Sequence, residues 1–148
     1  MSKIIIIYGS TSGNTELVVD HLAAMLQNSG HTVDTKPGES CTFQDADGYE
    51  LTILASPTYG HGALQEYMMH INQEVATADN KGRQFAVIGL GDPKYDRNYN
   101  IESAVILEHS IKKSGGTLLV PSLKINKSPI PHLETTLKDW ANQLNQKL

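Results

Sequence analysis

The sequence is poor in cysteine, in basic residues and in long apolar runs, and each shortage excludes a class of protein. Cys41 is the single cysteine among 148 residues, so no internal disulfide can form, and we expect a reducing, cytoplasmic compartment. Lysine and arginine number 12 against 16 acidic residues, a formal net charge of −4, which disfavours nucleic acid as a partner. No apolar stretch approaches the roughly 18–20 residues of a membrane span, so we expect no membrane partner.

Length and composition predict one globular domain that spans residues 1–148. Hydrophobic residues make up 39% of the chain and charged residues 19%, proportions typical of a folded protein rather than a disordered one. A chain of this length can bury one substantial core. No internal repeat, low-complexity tract or linker divides the sequence.

Short apolar runs alternate with helical patterns along the chain, which predicts an α/β fold. Pro121 interrupts the last run and indicates an edge strand or a bulge. The first, third and fourth runs are almost continuously apolar, as in strands that are covered on both faces of a parallel sheet. The predicted strands are 4–8, 31–36, 51–56, 84–90 and 117–125.

Four segments carry apolar residues at helical spacing and are predicted to be helices. Pro131 lies near the start of the last one, and the third ends at a Ser-Gly-Gly sequence. Right-handed crossovers between parallel strands then give a doubly wound sheet, whose ligands bind at the carboxyl ends of the strands. The apolar positions run from Val18 to Leu26, Leu64 to Val75, Ile101 to Ile111 and Leu133 to Leu144.

The segment after the first strand, GSTSGNT (9–15), has the composition of an anion-binding turn. It lacks the lysine with which nucleoside-triphosphate loops hold their phosphates. Neutral donors beside a helix N-terminus suit one terminal phosphate monoester, although an ordinary Ser/Thr-rich helix cap is the alternative. The donors are the side chains of Ser10, Thr11, Ser12, Asn14 and Thr15, and Gly13 lets the backbone curl tightly.

Two further segments, SPTYGHG (56–62) and GLGDPKYDRNYN (89–100), follow the third and fourth predicted strands and carry tyrosines among small residues. Tyr59 and Tyr95 could clamp a flat ring system between them, because aromatic stacking adds about 0.5–1.5 kcal/mol to area burial. Either tyrosine alone is more simply explained by packing. Together with the anion-binding turn, they favour a stacked cofactor.

These segments resemble those of the short-chain flavodoxins, bacterial electron carriers with non-covalently bound FMN, and the resemblance covers essentially the whole chain. YGSTSGNTE is similar to the phosphate loop of the family, SPTYGHG to the loop with the inner aromatic residue, here Tyr59, and GLGDPKYD to the loop with the outer tyrosine, here Tyr95. The resemblance implies a flavodoxin-like, doubly wound, five-stranded parallel sheet in the order 2-1-3-4-5 with helices on both faces. It implies FMN as the cofactor.

The resemblance also implies which residues form the cofactor site, and it implies neither catalytic nor metal-binding residues. The phosphate is expected at Ser10, Thr11, Ser12, Gly13, Asn14 and Thr15, with Thr58. The backbone around Tyr59, Gly60, Gly91 and Asp92 is expected to meet the isoalloxazine ring, between Tyr59 and Tyr95. The remaining expected cofactor-binding residues are Pro57, His61, Gly89, Tyr99 and Asn100.

The resemblance implies a low-potential electron carrier and not an enzyme. The carrier is expected to be a monomer that shuttles electrons between redox partner proteins, a reductase donor and an acceptor enzyme. The modest charge of −4, and His61 where the family often has aspartate, remove negative charge that would lower the potential. The alternative is a small FMN-dependent NAD(P)H:quinone or nitro-compound reductase, which is disfavoured because the chain has no spare segment for a nicotinamide pocket. An accessory protein that serves one dedicated enzyme is a weaker third hypothesis.

Overall fold

The chain folds into a parallel sheet with helices on either side, as its alternating pattern predicts. The computed structural model describes residues 1–10, 13–59, 63–91 and 101–148. For Tyr59 it describes the backbone and not the side chain. The strands are β1 (Lys3–Tyr8), β2 (Thr32–Pro37), β3 (Leu51–Tyr59), β4 (Ala63–Leu64), β5 (Gln84–Gly91), β6 (Thr117–Leu118) and β7 (Leu123–Asn126). The helices are α1 (Asn14–Asn28), α2 (Glu66–Thr77), α3 (Glu102–Lys113) and α4 (Thr136–Lys147).

The strand order confirms the doubly wound topology. The main path is β2-β1-β3-β5-β6, with β7 also paired to β5, and these pairings are parallel. The fifth predicted strand is therefore β6 and β7 together. Leu118 pairs with Phe85 and Leu123 with Ile88, so this strand bulges around Pro121, which has no N–H to donate to a ladder.

Alternate residues of β1 show why its apolar run is continuous. Ile4 and Ile6 are buried in the core on one face of the sheet, together with apolar residues of α1 and α4. Ile5 and Ile7 are buried on the opposite face, with residues of α2 and α3. Because helices cover both faces, no position of the strand centre is left for a polar residue.

Two predicted helix starts are wrong, and short local structure explains both. Leu64 has the phase of the second helix but lies in β4, an antiparallel pairing with the end of β3, and α2 begins only after Gln65. Leu133 lies between a short 3-10 turn at Ile130–His132 and the start of α4. Within the described ranges, no helix has the length and apolar character that a membrane crossing requires.

Candidate functional site

The carboxyl ends of β1, β3 and β5 lie side by side, and they bring the described part of the predicted site to one edge. Register pairs Tyr8 with Ala55 and Pro57 with Leu90. Ser10, Gly13, Asn14 and Thr15 follow β1, Pro57, Thr58 and Tyr59 end β3, and Gly89 and Gly91 end β5. Thr11, Ser12, Gly60, His61, Asp92, Tyr95, Tyr99 and Asn100 lie outside the described residues.

The start of α1 has the geometry of an anion-binding turn. Gly13 is the N-cap residue and has φ 92°, a left-handed conformation that favours glycine. Its N–H donates to Ser10 Oγ at 3.0 Å, and the first bond within the helix runs from Leu17 N–H to the Gly13 carbonyl. Among the described residues no side chain caps the helix. The N–H groups of its first turn therefore point out of the helix end, where an anion could accept from them.

Thr15 gives this turn an unmet hydrogen bond. The residue is only 1% exposed, and within the described ranges its Oγ1 atom is buried with no partner. A buried hydroxyl without a partner costs about 1–3 kcal/mol. A phosphate oxygen at the helix start would accept from this hydroxyl and from the N–H groups of the first turn, so the turn fits a phosphate monoester.

A cleft of about 180 Å³ beside Ser10 has the opposite electrostatic character. Burial, followed by the carboxylates of Glu16, Asp20 and Glu39, raises the pKa of Tyr8, which lines this cleft. Negative charge on this side disfavours an anion there. The donors at the start of α1 are therefore the better phosphate site of the two. The cleft is lined by Tyr8, Gly9, Ser10, Glu16, Pro37, Gly38, Glu39 and Tyr67.

Thr58 lies at the same edge, and its hydroxyl is bonded within the protein. The residue is 2% exposed. Its hydroxyl donates to Ser103 Oγ at 2.9 Å and accepts the Ser103 N–H at 3.2 Å, while the Ser103 hydroxyl donates to the Ser56 carbonyl at 3.0 Å. Ser103 is missing from the predicted site because no local pattern marks a serine whose partners lie 45 and 47 residues away.

Gly89 and Gly91 have a packing role as well as a place in the predicted site. A Cβ at Gly89 would lie 2.7 Å from Ala104 Cβ and 2.8 Å from Ile101 Cγ2. One at Gly91 would lie 2.9 Å from Ile101 Cγ1. Ile101 itself is the N-cap residue of α3 and has φ 51°, which is a strained conformation for a β-branched residue. The glycines thus let the start of α3 approach β5 closely.

Gln65 is a second residue that the sequence pattern does not mark. It is completely buried, its Oε1 accepts the Tyr67 N–H at 2.8 Å, and its own N–H donates to Ser56 Oγ at 3.2 Å. Glutamine is not among the favoured N-cap residues, so its role as the cap of α2 is visible only in the structure. A Cβ on Gly9 would lie 2.3 Å from Gln65 Oε1, so the two residues are in close contact.

Fold and site together define a class: a doubly wound α/β protein with an anion-binding turn after its first strand. Comparison with known proteins specifies the class further. The Flavodoxin family model matches residues 6–140. A probable flavodoxin 2 of Bacillus subtilis is 31% identical over 150 residues, which cover 99% of this chain and 97% of that protein. The chain belongs to the flavodoxin family.

Solved structures agree with this assignment. Oxidised flavodoxin 2 of Bacillus cereus has a TM-score of 0.90 and 29% identity, with 99% of this chain and 100% of that chain covered. A Fusobacterium nucleatum flavodoxin bound to flavin mononucleotide has a TM-score of 0.85 at 18% identity, with 100% and 99% covered, and shows the same fold. The family expected from the sequence motifs is confirmed.

Proposed function

We propose that this protein is an electron carrier whose redox group is FMN, bound without a covalent link at the carboxyl edge of the sheet. Membership of the flavodoxin family supports this function. The observation that carries it is the buried hydroxyl of Thr15, which has no partner among the described residues and lies in the first turn of an uncapped helix. A phosphate monoester supplies the missing acceptor.

The phosphate is held by donors from the chain alone. The first-turn N–H groups of α1 and the side chains of Ser10, Asn14 and Thr15 surround it, together with Thr11 and Ser12. Gly13, the N-cap residue, has the left-handed conformation that a tight turn requires. Charge-assisted hydrogen bonds of this kind contribute about 1.5–3 kcal/mol each, and a monoester needs no metal ion.

The residues at the ends of β3 and β5 would hold the isoalloxazine ring. Tyr59 and Tyr95 would stack against it, and the backbone of Gly60, Gly91 and Asp92 would meet its polar edge. FMN, when bound, supplies a ring that accepts and releases electrons. Thr58 belongs to the same site as the residue that links β3 to α3. The other members of the ring site are Pro57, His61, Gly89, Tyr99 and Asn100.

The carrier acts at low potential, as a monomer, between two protein partners: a reductase that donates electrons and an enzyme that accepts them. It is not itself an enzyme. A cytoplasmic location suits its single cysteine, Cys41, which is free and buried. The partners are redox proteins, and neither nucleic acid nor a membrane is among them.

Ligand discrimination tests the proposed cofactor. The purified protein is expected to contain one FMN per chain, and calorimetry is expected to show that riboflavin binds more weakly by at least about 3 kcal/mol, because it offers no phosphate to several charged hydrogen bonds. Equal affinity for the two flavins would contradict the phosphate site.

Reduction by NADPH tests the carrier function against a reductase. The flavin absorbance of the holoprotein is expected to remain unchanged with NADPH alone and to bleach only after a flavodoxin reductase is added. Direct bleaching by NADPH would establish the reductase instead.

A further inference from the structure

The first turn of α3 is capped by a residue of a different element. The N-cap position of α3 is Ile101, which has no side-chain acceptor, and an N–H in the first helical turn needs a partner from outside the helix. The Ser103 N–H finds it in Thr58 Oγ1, at 3.2 Å, near the end of β3. Both residues are almost completely buried. A strand of the site thus completes the helix.

The hydroxyl of Ser103 fixes the same strand at a second point. It accepts from the Thr58 hydroxyl at 2.9 Å and donates to the Ser56 carbonyl at 3.0 Å. Ser56 Oγ in turn accepts the N–H of Gln65 at 3.2 Å, on the far side of residues 57–64. The stretch that leads into the predicted ring contacts is therefore tied to α3 before Tyr59 and to α2 after it.

We propose that Ser103 is a positioning residue for the flavin ring. It acts through Thr58 and Ser56, which hold the end of β3 in place, and it need not touch the flavin. The single hydroxyl proton of Thr58 is used by Ser103, so in this arrangement the Thr58 hydroxyl has no proton left for the phosphate contact that the family resemblance implies. The proposal rests on the proposed function.

The consequence of removing the Ser103 hydroxyl follows from burial. Ser103→Ala leaves the Thr58 hydroxyl without its acceptor and removes a donor from the Ser56 carbonyl, both in a region with almost no exposure. Buried polar groups that lose a partner find a new arrangement or stay unpaired at a cost. The end of β3 is expected to shift, and the ring to be held less tightly.

Ser114→Ala provides the matched control. Ser114 ends the same helix at its other terminus, and its Oγ accepts from Asn80 Nδ2 at 2.8 Å and donates to the Ser110 carbonyl at 2.8 Å. The substitution removes a comparable set of hydrogen bonds from α3, far from the carboxyl ends of the strands. Because Ser114 is less buried than Ser103, the unfolding midpoints of both variants are measured alongside the ring signals.

The experiment compares FMN-loaded wild type, Ser103→Ala and Ser114→Ala. Visible circular dichroism and the midpoint potential report on the ring, ³¹P resonance on the phosphate, and fluorescence after dilution on FMN release. Ser103→Ala is expected to change the dichroism and the potential and to release FMN about tenfold faster, with an unchanged ³¹P shift. Ser114→Ala is expected to match wild type in all four, even when its unfolding midpoint falls equally.

Two more variants keep the test decisive if Ser103→Ala does not fold. Thr58→Val preserves the shape of Thr58 but removes the same bonds from the other side, and it is expected to alter the ring signals and leave the ³¹P shift unchanged. Ser103→Cys retains a weak donor and acceptor and is expected to restore part of the wild-type dichroism.

The results that would overturn the proposal are distinct from those that would overturn the proposed function. A folded Ser103→Ala variant with wild-type dichroism, potential and release would show that Ser103 is merely structural. A ³¹P shift that moves in Thr58→Val, with unchanged ring signals, would return Thr58 to the phosphate. A wild-type protein that binds no FMN would instead refute the electron-carrier function itself.

Discussion

Helices α1 and α2 both begin at the carboxyl edge of the sheet, but only one of them begins with its own cap. At α2, the Gln65 side chain accepts the N–H of Tyr67. At α1, the N-cap is Gly13, no side chain among the described residues caps the helix, and the buried Thr15 hydroxyl has no partner there. The described part of the chain thus completes the start of α2, and the start of α1 is where we propose that the phosphate binds.

The contrast shows what makes a helix start a binding site. Position at the sheet edge and the helix dipole are common to both helices. The difference lies in whether a described side chain caps the first turn, as it does at α2 and does not at α1. A ligand gains most where protein groups are already desolvated and still unpaired, because their burial was completed during folding.

The largest effect that would test this contrast is expected for Thr15→Val. The variant keeps the shape of Thr15 but removes the unpartnered hydroxyl, so FMN affinity is expected to fall by about 1–3 kcal/mol, while the FMN-free chain loses no stability. Calorimetry and denaturant unfolding measure the two quantities. Thr136→Val, at the exposed start of α4, is the control. Equal FMN affinity in Thr15→Val and wild type would remove the distinction between the two termini.

The reverse pattern is expected at α2. Gln65→Leu keeps most of the buried volume but removes the acceptor of the Tyr67 N–H, so the free energy of unfolding is expected to fall by about 1 kcal/mol, the usual contribution of a helix cap. The FMN–riboflavin affinity difference, which isolates the phosphate contribution, is expected to stay as in wild type. A variant with normal stability and a reduced difference would mean that α2, too, serves the phosphate.

Substitutions at two glycines distinguish backbone strain from ligand binding. Gly13 has φ 92° and Gly30 has φ 96°, and a Cβ would meet nothing within 4 Å at either position. Gly13→Ala and Gly30→Ala are therefore each expected to lower the free energy of unfolding of the FMN-free chain by about 1 kcal/mol. Only Gly13→Ala is expected to weaken FMN binding as well. Similar FMN affinities in both variants would place the anion elsewhere.

The smallest expected effect is on folding stability, and it concerns His70, which links α2 to the Gly38 carbonyl. His70 lies 2.7 Å from both the Gly38 carbonyl and the Glu74 carboxylate. Burial, the largest single influence, lowers the pKa of His70, but these two acceptors together raise it above its ordinary 6.5. The charged imidazolium is thus favoured in the folded state.

The sign of the pH dependence follows from this direction. The contribution of His70 to stability is complete below the unfolded-state pKa and is lost as the pH rises through the higher folded-state value. Because the pair is partly exposed, it amounts to about 0.5 kcal/mol at most. The difference in unfolding free energy between wild type and His70→Gln is expected to shrink between about pH 5.5 and pH 8. His109→Gln, at an exposed histidine, is the control. If the difference between wild type and His70→Gln did not change with pH, the raised pKa of His70 would be contradicted.

The sequence predicts those features that depend on local pattern. Continuous apolar runs mark β1, β3 and β5 because both faces of the sheet are covered, and Pro121 marks the bulge in the last strand. The segment Ser10–Thr15 is recognisable as an anion-binding turn because its donors and Gly13 are consecutive in the sequence. The topology then follows from handedness rules that need no side-chain detail.

The supports of the site are not predictable in this way. Ser103 and Gln65 are ordinary polar residues in the sequence, and their importance comes from partners that only folding brings near. The β4 pairing involves two residues, too few for a periodic signal, and it displaces the start of α2 from the position that Leu64 suggests. Tertiary hydrogen bonds, unlike hydrophobic periodicity, produce no local pattern in the sequence.

The bulge around Pro121 also affects whether a strand of a second copy could pair with this edge of the sheet. The outer strand on this side of the sheet is divided into β6, with two residues, and β7, with four. An incoming strand would find two short rows of backbone groups out of step with each other, and the exposed Lys124 lies on one of them. Interrupted, charged edges of this kind resist edge-to-edge pairing. The irregularity therefore makes this edge of the sheet a poor template for a strand of a second copy.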